Sequence, residues 1–300
     1  MSAERRVYGG IEAGGTKFIC AVAQSPVEIL KSTELPTTEP DETFANVLKF
    51  FLEAAAEYGP ICAIGAASFG PVDIDRSSRS YGTILNTPKP GWADVSFIDA
   101  LARLNAPFFV DTDVNGAALG EAVAGAGNGL RIIAYVTVGT GIGAGVVKNG
   151  LPQAGFGHYE FGHIRPPHDK SRDPYAGCCP FHSDCLEGLA SGPAIMNRWE
   201  ATLSDLAQGH EAVALEAEYL SHLALTLILS HMPERIIFGG GAGLLKKLRL
   251  ETKKLIGGYV DAGPLAGDLS DYIVPPGLGD FSGAVGAVVL AERALAEVAP

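Results

Sequence analysis

His163, Cys179, His182 and Cys185 offer two imidazole nitrogens and two thiolates, the donor set of a closed tetrahedral zinc site. Cys179, His182 and Cys185 are spaced three apart in one tight loop, and His163 joins from sixteen residues before Cys179. Two thiolates disfavour Mg²⁺ and Ca²⁺, which prefer oxygen. His163 can bind zinc through one ring nitrogen and present the other to a ligand, so that the metal orients the imidazole. The alternative is a reduced, metal-free loop. Cys178 is a spare thiol able to replace Cys179, and His158 and His168 read as ordinary loop residues. The chain has an odd number of cysteines, 5, and three of them fall between positions 178 and 185. That clustering suits a metal site in a reducing compartment better than a disulfide framework.

A second chemistry lies in the glycines, 38 of 300 residues, roughly twice the ~7% of average usage. No G-X-Y period accompanies them, so they belong to turns and to places where backbone approaches a ligand. Gly14-Gly15-Thr16-Lys17 lacks the Gly-Lys pair of the Walker pattern. Gly139, Gly141 and Ala144 satisfy the dinucleotide pattern G-x-G-x-x-A in form only. Val146-Val147-Lys148 then continues as strand to an Asn149-Gly150 turn, where a dinucleotide fold would open a helix. What remains is a pair of glycine β-turns whose N–H groups form an anion nest for phosphate. Thr16 and Thr140 add hydroxyls, Lys17 adds a point charge, and Gly239-Gly240-Gly241 forms a third turn. The competing reading is two ordinary hairpins with Lys17 facing solvent.

The elements that position these residues alternate strand and helix, an α/β arrangement. Residues 7–11 and 16–23 read as strands around the first glycine turn. Residues 41–58 read as an amphipathic helix, with Phe44, Val47, Leu48, Phe51, Leu52 and Ala55 at helical spacing and Gly59-Pro60 as its stop. Short apolar runs at 61–67 and 107–110 are strands, and 114–126 is a helix ended by Gly127. The second half restarts with a strand at 131–138, the second glycine turn and another strand, which reads as an internal duplication. Helices are predicted near 210–231 and at 282–298, with a strand at 235–238 between them.

The formal charge is −12 and no Lys/Arg cluster is present, which excludes an electrostatic footprint for nucleic acid or an anionic membrane. Backbone nests can still bind a nucleotide triphosphate. No apolar run reaches the ~18 residues of a membrane span, and the N-terminus lacks the apolar stretch of a signal peptide. The expected location is the cytoplasm.

Ile11-Glu12-Ala13-Gly14-Gly15-Thr16-Lys17, Asp113-Val114-Asn115, Glu160-Phe161-Gly162-His163 and residues 179–187 occur in the order found in the ROK family of sugar kinases. The sequence resembles that family over nearly its whole length, most closely its bacterial fructokinases, and residues 179–194 are the most specific stretch. Two positions depart from the common pattern. Glu12 stands where many members have Asp, as in the fructokinase branch, and Thr112 stands where many have a sugar-contacting Asn.

The resemblance implies two actin-like (ribonuclease H-like) domains around a cleft. The first would span 1–112, with the helix at 281–300 packing back on it, and the second 113–280, carrying the zinc loop. It implies ATP as donor, Mg²⁺ on its phosphates and structural Zn²⁺, and it leaves room for a homodimer. ATP would meet Gly14, Gly15, Thr16, Lys17, Gly139, Thr140, Gly141, Gly143, Pro193 and the turn Gly239, Gly240, Gly241. Asp113 follows a strand end, where open α/β folds bind ligands. Its alternative, shared with Asp111, is to cap the next helix. The family's catalytic base maps onto Asp113. Glu160 and His163 can face one ligand, and vicinal hydroxyls suit a carboxylate acceptor beside an imidazole. In the family both contact sugar together with Glu187; Gly70 and Asn86 are further candidates for the sugar rim, and Thr112 stands at the position of the usual sugar-contacting Asn.

The expected activity is phosphorylation of a hexose at O6, fructose first, with glucose, mannose or an N-acylhexosamine as alternatives. A sugar-sensing regulator of the same family is the rival from another class. It would carry a DNA-binding domain ahead of the first glycine turn, where only eight residues precede Gly9. A nicotinamide dehydrogenase is disfavoured by the missing helix.

Overall fold

A computed structural model describes residues 6–207, 209–239 and 242–298. In chain order it contains β1 (Val7–Ala13), β2 (Lys17–Ser25), β3 (Glu28–Pro36), α1 (Pro40–Tyr58), β4 (Ile61–Ser68), α2 (Phe97–Ala100), β5 (Phe108–Thr112) and α3 (Asp113–Ala124). There follow β6 (Ile132–Val138), β7 (Ile142–Lys148), β8 (Leu151–Pro152), α4 (Leu186–Ala190), α5 (Gly192–Trp199) and α6 (Glu211–His231). The chain ends with β9 (Arg235–Phe238), α7 (Ala242–Ile256), β10 (Ile273–Val274) and α8 (Ser282–Val298).

Two units share these elements. The first comprises Met1–Asn128, Gly150–His158 and Gly277–Pro300, the second Gly129–Asn149 and Tyr159–Pro276. The C-terminal helix α8 groups with the first unit. The boundary differs: α3 stays with the first unit, so the chain leaves it after residue 128 and not after 112. The reason is packing. Added methyls at Gly120 and Gly286 would overlap the carbonyls of Ser282 and Gly116, so glycines let α3 and α8 approach backbone to backbone.

The first sheet has the order β3-β2-β1-β4-β5, with β1/β2 antiparallel and β1/β4 and β4/β5 parallel. In the second unit β7, β6, β9 and β10 neighbour one another in that order, the pattern of β2, β1, β4 and β5. β6/β7 is antiparallel, and β6/β9 and β9/β10 are parallel. The duplication read from two glycine turns is therefore a duplication of topology.

Pro40 opens α1 and Gly59, at φ +103°, ends it. Phe44, Val47, Phe50, Phe51 and Ala54 form its buried stripe, whereas Leu52, expected inside, is 43% exposed because it falls off that face. The stripe meets an aromatic cluster in which Phe44 stacks edge-on to Phe97 at 5.2 Å and Trp92 lies 5.6 Å from Phe18. Trp92 is fully buried and donates from Nε1 to the Thr38 carbonyl at 3.0 Å. This contact ties down the loop that carries Lys89.

A buried carboxylate closes the first unit. Glu121 of α3 accepts from Ala126 N (2.6 Å), Gly277 N (2.9 Å), Leu278 N (2.9 Å) and Ser282 Oγ (2.7 Å). In the second unit α6 supplies Leu220, Leu223, Ala224 and Leu227 to a core shared with Val136, Val146 and Phe238. Among the described residues α6 is the one helix long and apolar enough to cross a membrane, and 61% of that stretch is buried, as in a core helix.

Candidate functional site

Register creates the first half of the site. Ala13 pairs with Ser68 and Ser68 with Thr112, so β1, β4 and β5 end on one line. The residues that follow, Gly14-Gly15-Thr16, Phe69-Gly70 and Asp113, therefore leave the sheet at one edge, the carboxyl edge where parallel strands place ligands.

At the turn, Gly14 N donates to the Lys17 carbonyl at 2.9 Å. The Gly14 carbonyl accepts from Thr37 Oγ1 at 2.8 Å, the Thr16 carbonyl from Thr37 N at 2.9 Å, and the Gly15 carbonyl from Lys89 Nζ at 2.6 Å. Lys17, expected to reach phosphate, pairs with Glu34 Oε2 on β3 at 2.8 Å.

Asp113 is the first residue of α3, and its Oδ1 accepts from Val114 N at 2.8 Å. Neither aspartate is the cap. Thr112 caps the helix by accepting from Asn115 N at 3.2 Å, and Asp111 accepts from Asn115 Nδ2 at 2.7 Å. Burial raises the Asp111 pKa. Thr112 is 4% exposed, so its oxygen serves the cap first. Glu12 ends up close to Asp113. Burial, and then the Asp113 charge, raise its pKa to about 7, and its Oε2 is buried with no hydrogen-bond partner. Gly70 lies beside the His158 ring, and Asn86 is exposed.

The second unit repeats the device. Gly139 N donates to the Gly141 carbonyl at 2.9 Å, and the Gly139 carbonyl accepts from Gly192 N at 2.7 Å. Gly192 and Pro193 open α5 behind the cap Ser191, so a helix N-terminus abuts the second turn. Glu187 reaches the same hairpin, accepting from Ile142 N at 3.0 Å, and Gly143 lies on β7. Gly239 follows β9 and donates to Val136 O at 2.9 Å, at the same sheet edge. Gly240 and Gly241 lie outside the described residues.

The four sequence-predicted metal ligands converge. One donor atom from each of His163, Cys179, His182 and Cys185 lies within 4.8 Å of the others. His163 Nδ1 is 3.4 Å from Cys185 Sγ and 3.9 Å from Cys179 Sγ, and His182 Nδ1 is 3.8 Å from Cys179 Sγ. A tetrahedral ion with bonds of about 2.0–2.3 Å sets its ligands roughly 3.3–3.8 Å apart. It is Cys179, and not Cys178, that joins the group.

Glycines make the loop possible. Gly177 has φ +87°, and an added methyl there or at Gly188 would overlap the Ser183 carbonyl. Gly162 sits equally tight against the Ile142 carbonyl, which sets the turn bearing His163 on β7. With Nδ1 in the cluster, His163 Nε2 points to Glu160 Oε2, 3.9 Å away. His168 is structural: its Nε2 lies 2.9 Å from the Asp173 carbonyl, and Asp173 binds Arg198 Nη2 at 3.1 Å and Tyr219 OH at 2.6 Å.

The sequence profile of the ROK family matches residues 8–294. The chain belongs to the ROK family. Within it, a putative fructokinase of Bacillus subtilis is 45% identical over 300 residues, which cover 96% of each chain. A fructokinase of Zymomonas mobilis is 42% identical over 302 residues, 97% of this chain and 98% of that one. Among solved structures, a ROK hexokinase from Thermus thermophilus matches with a TM-score of 0.77 at 24% identity, over 97% of this chain and 99% of that one. That likeness shows the fold, the actin-like architecture of ROK sugar kinases.

Sequence reasoning missed Lys89, Thr37 and Glu121. Each acts through a contact distant in sequence, and none belongs to a spaced motif.

Proposed function

We propose that this ROK protein is an ATP-dependent hexose kinase that phosphorylates D-fructose at O6. The observation that carries the reading is the strand register, which delivers the first glycine turn and Asp113 to one sheet edge. Full-length similarity to proteins called fructokinases supports the choice of sugar.

Asp113 accepts the proton from O6 as that oxygen attacks the γ-phosphorus and the bond to the ADP oxygen breaks. The N–H groups of the turns at Gly14, Gly15, Thr16 and at Gly139, Thr140, Gly141 hold phosphate oxygens, with Lys17, Gly143 and Pro193 alongside. Gly239 and its neighbours Gly240 and Gly241 lie against the adenosine. Sugar hydroxyls bind Glu160, His163 and Glu187, with Gly70, Asn86 and Thr112 at the rim.

The oxygen donors at the first edge suit Mg²⁺, which on the triphosphate would neutralise charge. The two sulfurs and two nitrogens of the loop suit Zn²⁺. Burial pushes the Cys185 thiol up to about 11, so a cation beside it is needed for a thiolate at neutral pH. Zinc on His163 Nδ1 would leave the proton on Nε2, a fixed donor toward Glu160 and the sugar. Reduced thiols at this loop fit a cytoplasmic enzyme.

A coupled ADP-release assay across fructose, mannose, glucose and N-acetylated hexosamines tests the reading. Fructose is expected to give the highest kcat/KM. A better rate with glucose or a hexosamine would reassign the sugar, and ADP release independent of any hexose would refute the kinase.

A further inference from the structure

Lys89 lies 74 positions from the first glycine turn, yet its Nζ donates to the Gly15 carbonyl at 2.6 Å. Among the described residues no carboxylate lies within ion-pair distance of it. Lys17, the turn's own lysine, is by contrast paired with Glu34. A half-buried ammonium is thus kept on a neutral carbonyl, in a loop pinned by fully buried Trp92.

The consequence follows from peptide geometry. In a trans peptide the carbonyl and the next N–H point in opposite directions, and the only cis bond among the described residues is Gly70–Pro71. Thr37 Oγ1 on the Gly14 carbonyl therefore turns the Gly15 N–H away from Thr37. Lys89 on the Gly15 carbonyl likewise turns the Thr16 N–H away from Lys89. Neither N–H has a protein acceptor among the described residues. Glycine peptide planes flip easily, so an unheld Gly14-Gly15 turn would sample other orientations.

We propose that Lys89 is a positioning residue for the triphosphate: from behind the turn it fixes the Gly15–Thr16 peptide so that the Thr16 N–H faces the phosphoryl oxygens. The cation also polarises that peptide, which strengthens the N–H as a donor to an anion. Lys89 acts through the backbone and does not touch the transferred group. The inference rests on the kinase reading only for the identity of the phosphate compound.

The test compares Lys89→Met and Lys89→Arg with wild type and with Lys31→Met, a surface lysine paired to Glu57 as control. Lys89→Met is expected to raise KM for ATP about tenfold and to lower kcat/KM for ATP by about 10–100-fold, the scale of a lost phosphate or oxyanion donor. KM for fructose should stay within twofold, and Lys31→Met should match wild type. Lys89→Arg, able to donate to the same carbonyl, should recover most of the loss. Equal loss toward both substrates, or no recovery with Arg, would reduce Lys89 to a structural residue and overturn the proposal.

A calorimetric arm uses inorganic tripolyphosphate and adenosine. Tripolyphosphate affinity should fall in Lys89→Met while adenosine affinity holds. Unchanged tripolyphosphate affinity overturns the proposal. Absence of phosphate transfer by wild type, with the tripolyphosphate difference intact, would overturn the kinase reading alone.

Discussion

Glu12 and Asp113 are two carboxylates close together at one sheet edge. Burial followed by the Asp113 charge raises the Glu12 pKa to about 7. Above that pH the fold holds a buried anion that the unfolded chain would solvate freely. The folded pKa exceeds the unfolded value of 4.5, so the stabilising contribution is complete at acid pH and is lost as pH rises through about 7. The shift corresponds to about 3 kcal/mol at most. Glu12→Gln removes the titration. Its melting temperature is therefore expected to fall less than that of wild type between pH 5 and pH 8, and parallel curves for the two proteins would contradict the assignment. The proposed role of Asp113 as base requires its carboxylate form, and a proton on the neighbouring Glu12 would relieve repulsion between the two. Asp113→Asn should keep fold and ATP binding but lower turnover by the ~10²–10⁴-fold of a lost general base. Near-normal turnover would remove Asp113 from the mechanism.

Elements differ in how openly the sequence declares them. The stripe of α1 and the Ala-rich α8 follow helical periodicity, and their expected ends agree with the structure within a residue. β3 is unmarked because it is an exposed edge strand of mixed polarity, from Glu28 to Pro36, with no alternating apolar face. β10 is two residues long, too short for any periodic signal. The Cys/His loop is the most legible element, because three of its four candidate ligands are compressed into one short segment with a single distant partner, His163. Lys89 is the least legible: nothing in Thr87-Pro88-Lys89 announces a contact 74 positions away. For the loop, elemental analysis of purified protein is expected to show one zinc per chain. Cys179→Ser should lose that metal and weaken sugar binding through a disordered His163. Zinc content near zero with full activity would reject the site. The distant contacts escape because tertiary packing, and not local propensity, selects them.

At the scale of the whole chain, Glu121 holds two of the four places where the polypeptide crosses between units. Ala126 precedes the departure after Asn128, and Gly277 and Leu278 begin the return after Pro276. All three backbone N–H groups, with the hydroxyl of Ser282, converge on this one fully buried carboxylate. The charge is tolerated because four donors replace water around it. Removing the carboxylate would leave the buried Ser282 hydroxyl unpaired, at about 1–3 kcal/mol before relaxation, and would free three part-buried N–H groups. Glu121→Ala is therefore expected to destabilise the first unit by about 3–5 kcal/mol, among the larger effects of single substitutions. Glu121→Gln should lose less, because its amide oxygen still accepts while its NH₂ must face a former donor. The chain's two tryptophans make the measurement local, since Trp92 belongs to the first unit and Trp199 to the second. In a Trp199→Phe background, urea unfolding followed by Trp92 fluorescence reports the first unit alone. An unfolding free energy for Glu121→Ala within about 1 kcal/mol of its parent would show that water replaces the carboxylate, and that the crossing segments are held by the glycine contacts of α3 and α8 instead.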